Sequence, residues 1–195
     1  SDGSVVTWPN AYGDGGEAST VAYEDVASSL GSGVVDVTAN EQATAVRMED
    51  GSVVTFGSAS HGGDSSSVAA ALSANVTRVY GNEAAFAALR SDGSVATWGD
   101  GGSGGDSSAV SSELLGNVTA IYSDCCSFVA LKEDGGMVSW GASYATPESA
   151  IEGSIGSIFV TGSSYAALMS DGSVKCWGSE MTECGADEGG VASGA

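Results

Sequence analysis

A seven-residue phrase, DGSVVTW, returns five times along the chain with small changes, and this recurrence limits the fold more than any other feature. The copies occupy residues 2–8, 50–56 (DGSVVTF), 92–98 (DGSVATW), 134–140 (DGGMVSW) and 171–177 (DGSVKCW), with Asp-to-Asp spacings of 48, 42, 42 and 37 residues. A period near 40 marks a repeat architecture, in which each unit is too small to bury its own apolar face and stacks on its neighbours. Four of the copies follow a second block, as in TRVYGNEAAFAALRSDG (77–93) and TAIYSDCCSFVALKEDG (119–135). Within it Val37, Val79, Ile121 and Ile158 stand thirteen residues before the Asp, and Thr44, Phe86, Phe128 and Tyr165 stand six before it. All variation in length falls between one aromatic and the next Val or Ile, where the gaps are 29, 23, 23 and 18 residues. Fixed elements joined by one variable connection are what loop tolerance produces.

The fixed block predicts a β-hairpin preceded by a third strand. Asp-Gly between runs of β-forming or small residues is a strong hairpin signal, because the tight turn needs a positive φ that glycine supplies cheaply. The turns are expected at Asp50-Gly51, Asp92-Gly93, Asp134-Gly135 and Asp171-Gly172. Alternation along FAALRSDGSVATW puts Phe86 and Leu89, and likewise Val95 and Trp98, on opposite faces. Both faces are apolar or small, so sheets stacked on sheets are expected, with Phe56, Trp98, Trp140 and Trp177 in the gaps together with Val79, Ile121, Ile158, Leu89, Leu131 and Leu168. The connections GGDSSSVAAALS (62–73) and GGDSSAVSSELL (104–115) predict short helices capped by Asp64 or Ser65 and by Asp106 or Ser107, with a shorter version from Pro147 to Ile151.

The residues Ile121, Phe128, Ala130, Leu131, Asp134, Gly135, Val138, Trp140 and Gly141, with their counterparts in the other units, resemble the repeat of the regulator of chromosome condensation family. That resemblance implies an all-β fold: a β-propeller, or part of one, built from about four repeated antiparallel sheets with short helical or irregular connections. The family's blades are four-stranded and typically seven in number. The units here are shorter, and GGDSS-type sequence stands where the family has Asn-x-x-Gly-Gln-Leu-Gly. The Ala/Ser/Gly-rich wording is similar to the divergent copies found in dinoflagellate algae. On this reading residues 1–195 form a single repeat domain, with units at 9–56, 57–98, 99–140 and 141–177. Residues 178–195 form a Gly-rich tail leading toward a further unit. The ends read as a window on a longer array, since a seven-blade ring at this period needs roughly 300 residues.

Composition narrows function. With 25 acidic and 5 basic residues the formal net charge is −20, so a phosphate backbone or an anionic lipid surface would be repelled. Arg47, Arg78, Arg90, Lys132 and Lys175 are scattered and form no basic stripe. No stretch is apolar for long enough to span a bilayer. His61, the single histidine, lies near Asp64 and several serines, yet groups so close within one loop rarely converge as a triad must. Residues 101–106 match the start of a calcium-binding nonapeptide once, whereas that motif works through stacked copies. Asn75 and Asn117 begin formal glycosylation sequons at equivalent repeat positions, which repetition alone explains. Four cysteines are present. A Cys176–Cys184 disulfide would close a small loop; thiols packed as small hydrophobes are the alternative.

The sequence therefore assigns no catalytic residue, cofactor or metal ligand. Its signature residues, Asp50, Gly51, Phe56, Asp92, Gly93, Trp98, Asp134, Gly135, Trp140, Asp171, Gly172 and Trp177, are structural. The expected role is a non-catalytic interaction or scaffold module whose partners are other protein subunits, not nucleic acid. Contact is expected through the variable segments 9–33, 57–75, 99–117 and 141–154, or through an open end sheet. A second reading is a peripheral subunit of a large native assembly, such as an algal photosystem supercomplex in a plastid or organelle lumen. Such a chain would lie beside a membrane-protein complex without spanning the bilayer. A third, implied only by the resemblance, is guanine-nucleotide exchange.

Overall fold

The structure, a computed structural model, describes residues 20–21, 23–147 and 151–178. Trp8, Cys184 and residues 148–150 of the third expected helix lie outside them. The described residues form four antiparallel sheets that follow one another along the chain. The first holds β1 (Thr20–Val21), β2 (Val34–Ala39), β3 (Ala43–Met48) and β4 (Val53–Ser58) in the order β1-β4-β3-β2. The second is β5 (Val76–Gly81), β6 (Ala85–Arg90) and β7 (Val95–Gly99); the third is β8 (Val118–Ser123), β9 (Ser127–Lys132) and β10 (Met137–Gly141). The fourth is β11 (Ile155–Val160), β12 (Ser164–Met169) and β13 (Val174–Gly178).

The DG turns fall where expected, between the second and third strands of the repeated meander. The hairpin register is the same in each unit: Thr44 faces Phe56, Phe86 faces Trp98, Phe128 faces Trp140 and Tyr165 faces Trp177. The first strand of each meander carries a register shift at one equivalent place, at Val34/Asp36, Val76/Arg78, Val118/Ala120 and Ile155/Ser157. A bulge there adds local twist. Thr77 and Thr119 at this point donate to the carbonyls of Leu89 and Leu131 at 3.0 and 3.1 Å, satisfying acceptors on the neighbouring strand.

Between consecutive sheets, the leading face of the later sheet packs on the trailing face of the earlier one. On the leading face of the second sheet, Val76, Val79, Phe86, Ala88 and Trp98 pack on Ala43, Ala45 and Val53 of the first. The same pattern joins Ala85, Ala87 and Leu89 to Ile121, Phe128 and Trp140, and Val129 and Leu131 to Ile158, Tyr165 and Trp177. Small residues on trailing faces make room for the aromatic pair of the next sheet. The rings stack in pairs, with centroids 5.3, 5.4 and 5.3 Å apart for Phe86–Trp98, Phe128–Trp140 and Tyr165–Trp177. Such contacts add about 0.5–1.5 kcal/mol each beyond the area they bury. Phe56, Trp98, Trp140 and Trp177 are all buried, as the alternation predicts.

Two expectations need correction. Leu168 is 40% exposed, although Leu89 and Leu131 at the same repeat position are buried. It sits on the trailing face of the fourth sheet, which no described sheet covers. The connecting helices are also tighter and shorter than the periodicity suggests. Among the described residues only α1 (Tyr23–Val26) and α2 (Ala69–Leu72) are α-helical; Ser66–Val68, Ser108–Leu114 and Ser143–Ala145 are 3₁₀ turns. Ser65 makes no side-chain cap, and Asp64 instead accepts the Ser66 amide at 2.9 Å, two residues on. The connections still carry one apolar anchor each, Leu72 and Leu114, into the gaps between sheets. Among the described residues a fourth strand, as the resemblance implies, appears as β1 in the first sheet alone; the other described sheets have three strands.

Candidate protein-interaction surface

The repeated DG turn closes a hairpin and also clamps neighbouring sheets together. In the second unit the Ser94 amide and hydroxyl donate to Asp92 Oδ1 at 3.0 and 2.6 Å, so the carboxylate holds the turn as an Asx motif does. Ser52 and Ser173 do the same for Asp50 and Asp171, while Gly136 gives Asp134 its amide at 2.9 Å. The serine hydroxyl holds the carboxyls of Asp50, Asp92 and Asp171 below the ordinary carboxylate value, and the serine amide adds to it. Beyond the turn, the Gly51, Gly93 and Gly135 carbonyls accept the amides of Val76, Val118 and Ile155, at 2.9, 3.0 and 2.9 Å. The amides of Ser91, Glu133 and Ser170 reach back to Asn75, Asn117 and Ser154 at 2.8–2.9 Å.

Glycine is required at the clamp for space as well as for its positive φ. A Cβ on Gly51, Gly93 or Gly135 would lie 2.7 Å from an atom of Asn75, Asn117 or Ser154 respectively. A Cβ on Gly172 would meet nothing within 4 Å. Among the described residues nothing closes the fourth clamp, on the same side where no described sheet covers Leu168. On that trailing face Phe159, Leu168 and Val174 are 61, 40 and 51% exposed. Their counterparts Leu89 and Leu131 are buried, and Tyr80 and Val95 pack against a following sheet. The two halves of the signature thus come apart at the fourth unit. Its leading face, with Trp177, is built in, and its turn, with Asp171 and Gly172, meets no following sheet among the described residues.

The connections after each hairpin are tied down by the tryptophans. The Trp98 and Trp140 indoles donate to the carbonyls of Gly62 and Gly104 at 2.9 and 3.0 Å, and Trp177 donates to Ala145 at 2.7 Å. A further tie recurs one residue before each aromatic. Thr55 meets Ser65 at 2.9 Å, Thr97 meets Ser107 at 2.9 Å and Ser139 meets Thr146 at 2.9 Å. Cys176 occupies this position in the fourth unit, and Cys184, its suggested partner, lies outside the described residues. Lys132 donates to the Glu113 and Gly116 carbonyls, closing the end of the Ser108–Leu114 turn. Segment 99–117 nonetheless leaves Leu115 at the surface, 77% exposed.

One set of site residues was invisible to the sequence. Asn40 and Asn82, three residues after the register Val, each tie a turn to the next connection. Their amides donate to the carbonyls of His61 and Ser103 at 2.7 Å, and Oδ1 accepts the amides of Ala43 and Ala85 at 2.7 and 2.8 Å. Asp124 takes this place in the third unit. Its Oδ1 accepts from the Cys126 amide at 2.9 Å and the Ser127 hydroxyl at 2.7 Å, and its Oδ2 is buried with no hydrogen-bond partner among the described residues. Ser127 also meets the Tyr165 hydroxyl at 2.9 Å. Burial is the main reason the Tyr165 phenol is pushed up in pKa, against the opposing hydrogen bond from Ser127. A polar residue at a fixed register offset was the available signal, but turns use such residues too often for it to stand out.

The catalytic and metal candidates of the sequence do not assemble. His61 Nδ1 meets Ser60 at 2.9 Å, while Asp64 spends Oδ1 on the Ser66 amide. In residues 101–106 Asp106 accepts the Ser108 amide at 2.9 Å, and Gly104 and Gly105 give their carbonyls to Trp140 and Thr97. No helix among the described residues is long and apolar enough to cross a membrane.

No family model matches the chain, and no curated protein matches it. Solved structures do. Human WBSCR16 is similar over 74% of this chain and 47% of its own, at 18% identity with a TM-score of 0.53. Prp20p from Saccharomyces cerevisiae, whose structure is described with its binding properties to Gsp1p and histones, is similar over 74% and 45% at 16% identity, with a TM-score of 0.51. The CRINKLY WD40 ectodomain of the Arabidopsis thaliana receptor kinase ACR4 is similar over 74% and 52% at 17% identity, with a TM-score of 0.50. Prp20 is also called yeast RCC1. The chain spans about half the length of these structures. Sheet by sheet and in these likenesses, the fold is that of a β-propeller, with four consecutive sheets among the described residues.

Proposed function

We propose that the chain is a non-catalytic protein-interaction module whose partner contacts the variable connections between the sheets. The observation that carries this is Leu115, 77% exposed on the 99–117 connection beside sheets that keep one hairpin register. Connections of varying length can change without disturbing the sheets they join. The formal charge of −20 favours a partner that surrounds its apolar contact with basic side chains. Permanent seating in a larger assembly, the algal photosystem reading included, would use the same connections.

We further propose that Cys176 and Cys184 pair. The three earlier units bind the following connection to the hairpin strand through a hydroxyl pair at this position, and a disulfide would do so covalently. Peptide mapping of the unreduced chain should recover the two cysteines linked.

The surface is tested by placing a photo-crosslinking residue at Leu115, with Thr77 on the second sheet as control. Adducts to another subunit at Leu115 and not at Thr77 are expected, and Leu115→Glu should abolish co-purification without moving the unfolding midpoint. A chain that keeps its partners with Leu115→Glu, or cross-links equally at both sites, would contradict the proposal.

A further inference from the structure

The turn between β8 and β9 holds a chemistry the fold does not require. Its equivalents read Glu41-Gln42, Glu83-Ala84 and Gly162-Ser163, while the third unit has Cys125-Cys126. What the repeat needs here is backbone. The carbonyls of Gln42, Ala84 and Cys126 each accept the amide that follows the neighbouring hairpin, from Ser58, Asp100 and Ala142 at 2.8, 2.9 and 3.0 Å. Three different side chains serve that purpose equally, so the second thiol is surplus to it.

The two thiols are half-buried, within reach of a small reagent, and their sulfurs stand 2.8 Å apart. That is less than about 1 Å beyond the S–S bond length of about 2.05 Å. The turn is held firmly beneath them, because the buried Asp124 binds the Cys126 amide and the Ser127 hydroxyl. It is also a joint between sheets. The Cys125 carbonyl accepts the Glu83 amide of the second sheet at 3.1 Å, and Ser127 meets Tyr165 of the fourth.

We propose that Cys125 and Cys126 form a reversible vicinal disulfide, a modification site for low-molecular-weight disulfides of the glutathione class. One cysteine thiolate attacks the reagent's S–S bond, forms a mixed disulfide and releases one reagent thiolate. The other cysteine thiolate then attacks the protein sulfur of that mixed disulfide and expels the second. Two protein S–H bonds are lost and one S–S bond forms. The reagent is reduced to two thiols, which carry away both protons. Adjacent cysteines close into a strained ring, and strain makes a disulfide easily reduced, as a reversible site needs. The closed ring rotates the peptide between the two cysteines, so the Cys125 carbonyl turns away from Glu83 and the joint between the second and third sheets loosens.

The test is incubation of the reduced full chain with glutathione disulfide, followed by peptide mapping without reduction. Expected is a peptide carrying both cysteines, lighter by two hydrogens and free of glutathione. Cys125→Ser and Cys126→Ser should each instead retain glutathione on the remaining thiol. Amide exchange at Glu83 should rise about tenfold on oxidation and return with dithiothreitol, a change of about 1.4 kcal/mol in local opening. Glutathione retained on the wild-type pair, or both thiols left unmodified, overturns the site. A disulfide that leaves Glu83 exchange unchanged overturns its coupling to the joint.

Discussion

Tyr165 and Ser127 illustrate how the repeat tolerates change only in matched pairs. The first two gaps set an alanine, Ala43 or Ala85, against a phenylalanine, Phe86 or Phe128, whereas the last gap sets Ser127 against Tyr165. A buried phenol needs a partner, and the serine supplies it. Ser127→Ala should cost about 1–3 kcal/mol by leaving that hydroxyl unsatisfied, and Tyr165→Phe added to it should restore most of the loss. A double-mutant cycle in urea checks this, and additive losses would count against the pairing. Trp98 combines ring stacking with an indole bond to Gly62, so Trp98→Ala should cost about 3–5 kcal/mol in the same assay. The turn aspartates act on acid stability. Asp50, Asp92 and Asp171 have folded-state values below the ordinary 3.8, so the unfolded chain binds protons first. Their contribution is whole above that value and is lost as pH falls through the lower folded value. The urea midpoint should drop with pH in that range, and the triple Asp→Asn variant at these positions should show a shallower drop.

At the scale of the element, the DG turn has one conformation in all four units and two different surroundings. Gly93 has φ +76° and an amide 2.7 Å from where a Cβ would sit, while Gly172 has φ +86° and open space. Gly172→Ala should therefore cost only the left-handed backbone term, about 1–2 kcal/mol. Gly93→Ala carries the same term and must also push the Asn117 backbone away, so it should be clearly the worse of the two in thermal unfolding. Equal losses would mean that the turns do not bear on neighbouring sheets. The connections show the opposite balance: their lengths vary, yet the three after the first hairpin are each fixed by an indole bond from the next sheet.

For the whole molecule, the sheets form a one-dimensional stack in which each shares its core with its neighbours. Stability then approximates a sum of unit and interface terms. The charge of −20 on 195 residues makes the compact chain repel itself, so added sodium chloride should raise the melting midpoint until the charges are screened. A midpoint indifferent to salt would mean that the acidic groups are too dispersed to matter.

The sequence alone determined the repeat, the hairpin turns and the alternation that buries Trp98, Trp140 and Trp177, because these follow from local φ preference and a period of two. It could not determine which faces remain open. Leu168 obeys the same pattern as Leu89 and Leu131, and its exposure is decided by the sheet that would have to follow it. Nor could it reveal the Asn40, Asn82 and Asp124 ties or the Ser127–Tyr165 bond, since their partners come from another unit. Those contacts exist only once the sheets are stacked, and local sequence carries no information about what a neighbouring sheet presents.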